Sequence, residues 1–250
     1  MDKHAFVTGG GSGIGLATAK ALAGVGWRVT IAGRTEARLR DVAKGIPGAR
    51  IQPLDVTDAG AVAAAFRAAG EAAGPISLLV NNAGSVISVS FEKTDAIAWS
   101  AMLNVHLMGA VYCTQAALPD MKTNGWGRII NIASTAGLIG YRNLAAYVAA
   151  KHALVGLTKA LALEVAKTGI TVNAVCPGYV ATEIISSAVA RIAERMRRTP
   201  EDALATFTAV NPQNRLVKPE EVAAAVLWLA SDAADAVNGI ALPIAGGEVS

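Results

Sequence analysis

Residues 4–15 of the chain read HAFVTGGGSGIG, and this stretch decides the fold because an apolar run leads directly into a cluster of glycines. The run His4–Thr8 predicts a strand, and the sequence that follows predicts a helix from Gly13 onward. Glycines let a backbone turn sharply beside an anion, while the first turn of a helix offers unpaired N–H groups. A strand, a glycine-rich turn and a helix in this order predict a site for the phosphates of a nucleotide.

Beyond this stretch, short β-branched runs alternate with longer helical stretches that are rich in alanine and leucine. Six further strands are predicted at 28–32, 50–54, 78–80, 128–132, 171–175 and 239–242. Helices are predicted at 13–25, 35–44, 59–73, 96–122, 145–167 and 219–230. Most of the strands are continuous apolar runs, as expected where helices cover both faces of a sheet. The pattern therefore predicts the α/β class, with a Rossmann-like doubly wound parallel sheet of about seven strands in a single domain spanning 1–250.

The segment 182–217 breaks this alternation, because it holds helical pieces and two prolines but no convincing strand. It is predicted to lie over one edge of the sheet as a substrate lid. Four basic residues of the segment have two interpretations, and they are Arg191, Arg195, Arg197 and Arg198. They can form a solvated helix face, or they can contact an anionic group such as the phosphates of a CoA thioester.

In a doubly wound sheet, ligands bind beyond the carboxyl ends of the strands, which draws attention to the residues that follow each strand. After the second strand come Gly33 and Arg34. NAD-specific sites usually place a carboxylate here for the ribose 2′-hydroxyl, whereas a 2′-phosphate favours a guanidinium. The sequence therefore favours NADP(H), with NAD(H) as the open alternative, because Arg34 can also be a solvated residue at a helix start.

Tyr147 and Lys151 are four residues apart in a predicted helix, which places both side chains on one helix face. A phenol with a pKa of about 10 exchanges protons poorly at neutral pH. An ammonium group ~5 Å away, at an effective dielectric constant of ~20, favours the phenolate by ~3 kcal/mol, or about two pK units. The spacing thus predicts that Lys151 lowers the pKa of Tyr147 toward the range that general acid–base catalysis needs.

Taken in order, these motifs resemble those of the short-chain dehydrogenase/reductase family, and the resemblance runs from His4 to about Gly247. The glycines follow that family's spacing Gly-x-x-x-Gly-x-Gly, from Gly9 to Gly15. The resemblance implies that one set of residues binds the dinucleotide, namely Gly9, Gly11, Ser12, Gly13, Ile14, Gly15, Arg34, Asp55, Val56, Asn82, Ala83, Gly84, Tyr147, Lys151, Pro177, Gly178, Val180 and Thr182.

The same resemblance implies a catalytic set, in which Tyr147 donates the proton and Lys151 also holds the nicotinamide ribose. Ser134, thirteen residues before Tyr147, matches the serine that bonds the substrate oxygen, although Thr135 is adjacent. Asn104, in the sequence NVHLMG, matches the family's asparagine, which bends its helix and holds a water that relays protons to Lys151.

The implied activity is hydride transfer between a nicotinamide cofactor and a secondary alcohol or ketone, such as a 3-oxoacyl thioester or another bulky apolar carbonyl. The motifs are similar to those of 3-oxoacyl reductases and polyketide ketoreductases, but they are too widely shared to fix a substrate. The resemblance also implies a homo-oligomer, commonly a tetramer. A non-catalytic dinucleotide-binding sensor or scaffold and a lyase or epimerase on the same scaffold are the alternatives.

Composition excludes several other classes. A scattered net charge of +3 does not favour a nucleic-acid partner. No run of about 18 consecutive apolar residues predicts a membrane span, and the N-terminus lacks the pattern of a signal peptide. Cys113 and Cys176 lie in apolar stretches without metal-ligand spacing, and the three histidines are predicted to pack or to lie on helix surfaces. We therefore expect a soluble, cytoplasmic protein without a bound metal.

Overall fold

The computed structural model describes residues 3–249, and its centre is one seven-stranded sheet. The strands are β1 His4–Thr8, β2 Arg28–Gly33, β3 Arg50–Pro53, β4 Leu78–Asn81, β5 Gly127–Ile132, β6 Ile170–Pro177 and β7 Ala241–Ile244. Every neighbouring pair runs parallel, in the order β3-β2-β1-β4-β5-β6-β7. The predicted fold class is confirmed.

Helices cover both faces of the sheet. They are α1 Gly13–Gly24, α2 Glu36–Ala43, α3 Ala59–Ala73, α4 Ala96–Leu103, α5 Gly109–Asn124, α6 Ala145–Val165, α7 Glu183–Met196, α8 Pro200–Thr208 and α9 Pro219–Leu229. Side chains of a strand alternate between the faces. In β1, Ala5 and Val7 therefore join a core with α1 and α9, while Phe6 joins a second core with α3 and α5. Cys113 and Cys176 are buried and free, as predicted.

The sequence predicts one helix over 96–122, and the structure shows a longer and less regular one. A five-residue π turn, Asn104–Met108, separates α4 from α5, and the combined segment Ala96–Asn124 has 29 residues. An 18-residue window of this segment has a mean hydropathy of 1.3, which makes it apolar enough, by length and composition alone, to cross a membrane. It nevertheless packs against α3 and α6, and core helices of globular proteins share these properties.

The chain reverses its direction across the sheet next to β1, which pairs with β2 on one side and β4 on the other. Such a reversal opens a crevice at the carboxyl ends of the strands. The segment 182–217 contributes α7 and α8 and no strand of the described sheet, as predicted, and its end is tied to the rest by a bridge between Val180 and Val217.

Candidate active site

The glycine-rich turn between β1 and α1 is held open by the loop that follows β4. The Asn82 side-chain amide donates hydrogen bonds to the carbonyl oxygens of Thr8 at 2.9 Å and Gly9 at 3.1 Å. Gly9 has a φ of +64°, and a Cβ there would lie 2.7 Å from the Asn82 amide nitrogen, so only glycine fits. Ser12 precedes α1 and makes no side-chain capping bond within residues 3–249. The first N–H groups of α1 can therefore receive an anion.

A cleft of about 230 Å³ extends from this turn to α6. Half of the predicted dinucleotide-binding residues line it, and these are Gly9, Ser12, Gly13, Ile14, Asn82, Gly84, Tyr147, Lys151 and Thr182. Thr182 closes one side, because a Cβ on Gly13 would touch its methyl carbon at 3.0 Å. A glycine cradle that opens onto an uncapped helix start fits a dinucleotide pyrophosphate.

The other predicted dinucleotide-binding residues lie around the cleft rather than in its lining. They are Gly11, Gly15, Arg34, Asp55, Val56, Ala83, Pro177, Gly178 and Val180. Arg34 is exposed just beyond β2, and its charge helps to lower the pKa of Asp55, although hydrogen bonds from Thr57 contribute most to that shift. Both groups are thus placed for the adenosine end of a dinucleotide.

Arg38 is a residue of this region that the sequence analysis missed. Its Nε donates to the carbonyl oxygen of Gly11 at 2.9 Å, and its guanidinium forms an ion pair with Glu183 at the start of α7. Arg38 lies in α2, four residues after the exposed Arg34 that precedes the helix. That spacing was the available signal.

Ser134 acts on Tyr147, which lines the cleft. Ser134 follows β5 and begins a short 3-10 turn, where its hydroxyl oxygen accepts a hydrogen bond from the Ala136 N–H at 3.1 Å. The same hydroxyl lowers the pKa of the Tyr147 phenol, against the larger effect of burial. The hydroxyl of the adjacent Thr135 is engaged with Tyr141 at 2.8 Å instead. The structure thus brings Ser134 to Tyr147, whereas Thr135 lies at Tyr141.

Lys151 lies behind Tyr147, with its Nζ 5.7 Å from the centre of the phenol ring and donating to the Ile132 carbonyl oxygen at 2.7 Å. The prediction that Lys151 lowers the pKa of Tyr147 is wrong for this structure. Burial raises the pKa of Tyr147 to about 12, against the opposing effect of the Ser134 bond. Burial also lowers the pKa of Lys151 to about 7. Loss of hydration is the largest cause of both shifts, and neither shift includes a contribution from the other group, because Nζ donates to a carbonyl rather than to the hydroxyl.

Asn104 begins the π turn, where the resemblance implied a bend in the helix, and its role in holding a water stays a prediction. Its side chain is exposed at the start of the π turn, and it lines neither cavity near Lys151. His106, two residues later, is 4% exposed and lines both cavities. Its ring meets that of Tyr147 edge-on, with 5.2 Å between the ring centres. The sequence analysis assigned His106 to packing, and the structure places it beside the tyrosine and the lysine.

Three aromatic residues, Tyr141, Tyr179 and Phe207, form a wall of ring contacts. Tyr179, just after β6, meets Tyr141 with 6.3 Å between ring centres and Phe207 of α8 with 5.1 Å. The Tyr141 hydroxyl donates to the carboxylate of Glu248. This wall joins the loop after β5 to the predicted lid, so an apolar substrate could lie against it.

The chain resembles known proteins over its whole length. A model of the short chain dehydrogenase family matches residues 3–193. D-beta-hydroxybutyrate dehydrogenase of Cupriavidus necator is 38% identical over 253 residues, which cover 99% of this chain and 98% of that protein. Acetoacetyl-CoA reductase of Rhizobium meliloti is 37% identical over 252 residues and 99% of each chain. A solved actinorhodin polyketide ketoreductase variant with NADPH superposes with a TM-score of 0.96 at 38% identity, covering 100% of this chain and 98% of that one.

Proposed function

Because this chain belongs to the short-chain dehydrogenase family, we propose that it is an NADP(H)-dependent oxidoreductase of a secondary alcohol/ketone pair. One observation carries the proposal: Tyr147 and the buried Lys151 both line the cleft that begins at the glycine-rich turn, and the Ser134 hydroxyl acts on the Tyr147 phenol. A dinucleotide-binding protein without catalysis has no use for such a proton-transfer group at that position.

Residues of this chain would bind the cofactor, orient the substrate and protonate the substrate oxygen. When bound, the nicotinamide cofactor supplies or accepts the hydride. The uncapped start of α1 would hold its pyrophosphate, and Tyr147 and Lys151 would border the nicotinamide ribose. In reduction, the Ser134 hydroxyl and the Tyr147 phenol both donate hydrogen bonds to the carbonyl oxygen, which stabilises the negative charge that develops there. The raised pKa of Tyr147 keeps its phenol protonated at neutral pH, so the proton is ready for transfer to that oxygen.

NADP(H) is favoured over NAD(H) by the charges beyond β2. Arg34 places an exposed guanidinium there, whereas that of Arg38 is already paired with Glu183, and Gly33 offers no carboxylate for a ribose 2′-hydroxyl. A 2′-phosphate would gain charge-assisted hydrogen bonds at this position. The NADPH in the similar ketoreductase structure agrees with this preference.

For the substrate, we propose a 3-oxoacyl thioester or another bulky apolar carbonyl. The aromatic wall of Tyr141, Tyr179 and Phe207 supports an apolar substrate, and acetoacetyl-CoA reductase is among the relatives. The segment 182–217 would close over this substrate as a lid within a single catalytic domain. No residue of α7 is buried in the described structure, so this helix is free to adjust. Its exposed arginines remain candidates for the phosphates of CoA.

The test offers a panel of substrates to the purified protein and measures the change in NADPH absorbance. Acetoacetyl-CoA, cyclic ketones and, in reverse, 3-hydroxybutyrate are each offered with NADP(H) and with NAD(H). We expect turnover of at least one carbonyl, faster with NADPH, and loss of that turnover in the Tyr147→Phe variant. Tight NADPH binding without turnover of any carbonyl or alcohol would instead support the sensor or scaffold alternative.

We also propose that the protein is a cytoplasmic homotetramer. Only 28% of the most apolar window of Ala96–Asn124 is buried within the chain, and Ile97 of α4 is 78% exposed. A subunit contact would cover this apolar face. Light scattering should give a mass four times the 25.5 kDa of one chain, and Ile97→Glu should reduce it. A mass of one chain in the unaltered protein would refute the tetramer.

A further inference from the structure

A second and much smaller cavity of about 10 Å³ shares His106, Ile132 and Lys151 with the cleft. Such a volume accommodates about one water molecule, provided that the walls offer two or more polar partners. Four polar side chains of the wall are almost wholly buried, and the hydroxyl of Thr8 is already engaged with backbone groups of Val80, Asn82 and Ala83. The other three are Asn81, His106 and Lys151, which are 6%, 4% and 5% exposed. Their hydrogen bonds determine what the cavity can hold.

The amide of Asn81 is oriented by a chain of hydrogen bonds that starts at α6. The Thr158 hydroxyl donates to the Leu154 carbonyl at 2.8 Å, so its oxygen accepts from the Asn131 amide nitrogen at 2.8 Å. The Asn131 amide oxygen therefore faces Asn81 and accepts from its amide nitrogen at 2.9 Å. This order leaves the Asn81 Oδ1 as a buried acceptor without a partner in residues 3–249.

The imidazole of His106 presents a second acceptor of this kind. Its Nε2 lies 2.7 Å from the carbonyl oxygen of Ser85, which can only accept, so Nε2 carries a hydrogen. Burial and the charge of Lys151 lower the pKa of His106 to about 3, so the ring is neutral at neutral pH. Nδ1 is therefore a bare acceptor, and it too is buried without a partner among the described residues.

We propose that His106 is a positioning residue whose Nδ1, together with Asn81 Oδ1, holds one internal water against the Lys151 amine. The water donates its two hydrogens to these acceptors and accepts one hydrogen bond from Nζ, which already donates to the Ile132 carbonyl. Three hydrogen bonds are typical of a buried water. Two acceptors around the water orient its lone pair toward Lys151 and favour the ammonium form of the lysine.

This inference rests on the proposed function for its catalytic consequence, since the ammonium form of Lys151 supports proton donation by Tyr147. It gives the His106 imidazole, through Nδ1, the role of holding a water at Lys151 that the resemblance gave to Asn104. His106 does not itself carry the proton, because its ring stays neutral. It acts through the water.

Activity across pH tests the inference. In His106→Phe, which keeps a ring against Tyr147 but lacks the acceptor, we expect kcat to fall about tenfold. We also expect the alkaline limb of the kcat profile to shift by about one pH unit toward acid, because Lys151 loses support for its charge. His106→Asn, which can present an amide oxygen, should recover most of both effects. His152→Asn, an exposed histidine on α6, is the matched control and should show neither effect.

An unshifted alkaline limb in His106→Phe would overturn the inference, as would a comparable shift in Asn104→Ala, which would return the role to the asparagine. A high-resolution crystal structure provides a readout that does not depend on turnover. It should show a water oxygen within about 3.2 Å of His106 Nδ1, Asn81 Oδ1 and Lys151 Nζ. An ordered site without that water refutes the inference even if the enzyme is active. The water without any turnover refutes only the proposed function.

Discussion

Two histidines are buried at opposite ends of the parallel sheet, and their ring nitrogens are engaged differently. His4, at the amino end of β1, is fully buried, and its nitrogens lie 2.7 Å from the Gly74 carbonyl oxygen and 2.9 Å from the Thr30 hydroxyl. His106, near the carboxyl ends, uses Nε2 alone. Burial lowers the pKa of both rings.

The two ends of the sheet thus differ in whether these buried polar groups have hydrogen-bond partners among the described residues. At the amino end, His4 is satisfied by the chain itself and connects β1 to its neighbours, which serves folding. At the carboxyl end, His106 and Asn81 leave acceptors free around Lys151, although each free buried acceptor costs about 1–3 kcal/mol. A bound molecule that completes these hydrogen bonds removes this cost. Changes at one end should therefore affect stability, and changes at the other should affect chemistry.

The largest effect is expected at the carboxyl end. Tyr147→Phe should reduce turnover by about 10²-fold or more, because the substrate oxygen loses its proton donor. The affinity for NADPH and the free energy of unfolding should stay nearly unchanged, since the ring and its packing remain. Steady-state kinetics, fluorescence titration with NADPH and urea denaturation measure the three quantities. Turnover close to that of the unaltered protein would remove Tyr147 from its role.

At the amino end, His4→Ala should lower the free energy of unfolding by about 2 kcal/mol, because a buried ring and two hydrogen bonds are lost. The kcat of the folded protein should not change. Urea denaturation and kinetics on the same preparation separate the two effects. His152→Ala, on the surface, is the control and should change stability by no more than about 0.5 kcal/mol. A selective loss of kcat in His4→Ala would break the contrast between the two ends.

Arg34→Asp should change cofactor preference at the carboxyl end without a large effect on folding. An aspartate repels a 2′-phosphate and can accept from a ribose 2′-hydroxyl. We expect the ratio of kcat/KM for NADPH to that for NADH to fall by about tenfold or more, which corresponds to about 1.4 kcal/mol. An unchanged ratio would refute the assignment of Arg34 to the 2′-phosphate.

Stability should decrease on acidification because both buried histidines are held neutral. A lowered pKa in the folded state means that the unfolded chain binds protons first. The contribution of His106 is thus complete above pH 6.5 and is lost as the pH falls toward about 3. His106 removes up to about 1.4 kcal/mol per pH unit in this window, and the lowered pKa of His4 acts in the same direction. Urea denaturation at several pH values should show a smaller slope in His106→Asn, and an equal slope would contradict the buried neutral ring.

The sheet could be predicted because each of its strands is a compact apolar run separated from the next by a helical stretch. Only the ends of the elements were inaccurate. The last strand, predicted at 239–242, is Ala241–Ile244, because Gly239 has a φ of +78° and belongs to the preceding turn. The spacing of Tyr147 and Lys151 placed the two on one helix face. Spacing carries no information on burial, however, and burial reverses the predicted direction of the tyrosine pKa.

The inward-facing histidine was missed for a different reason. The resemblance implied a helix bend at Asn104, and the motif NVHLMG was matched by its first residue alone. The π turn changes which side chain faces inward, and a sequence pattern based on 3.6 residues per turn does not reveal it. Arg38 was missed for a related reason, since its contacts to Gly11 and Glu183 join distant parts of the chain.

The π turn Asn104–Met108 determines how far α5 is rotated about the helix axis relative to α4. A π turn is equivalent to one extra residue in an α-helix, and each residue adds about 100° of rotation. That rotation lets Met102 pack against α6 while Gly109 lies against Val56. Deleting one residue from this turn would restore regular α-helical geometry. It would also rotate α4 or α5 away from the residues that it packs against. The length of this segment is therefore as constrained as the identity of the histidine that it directs inward.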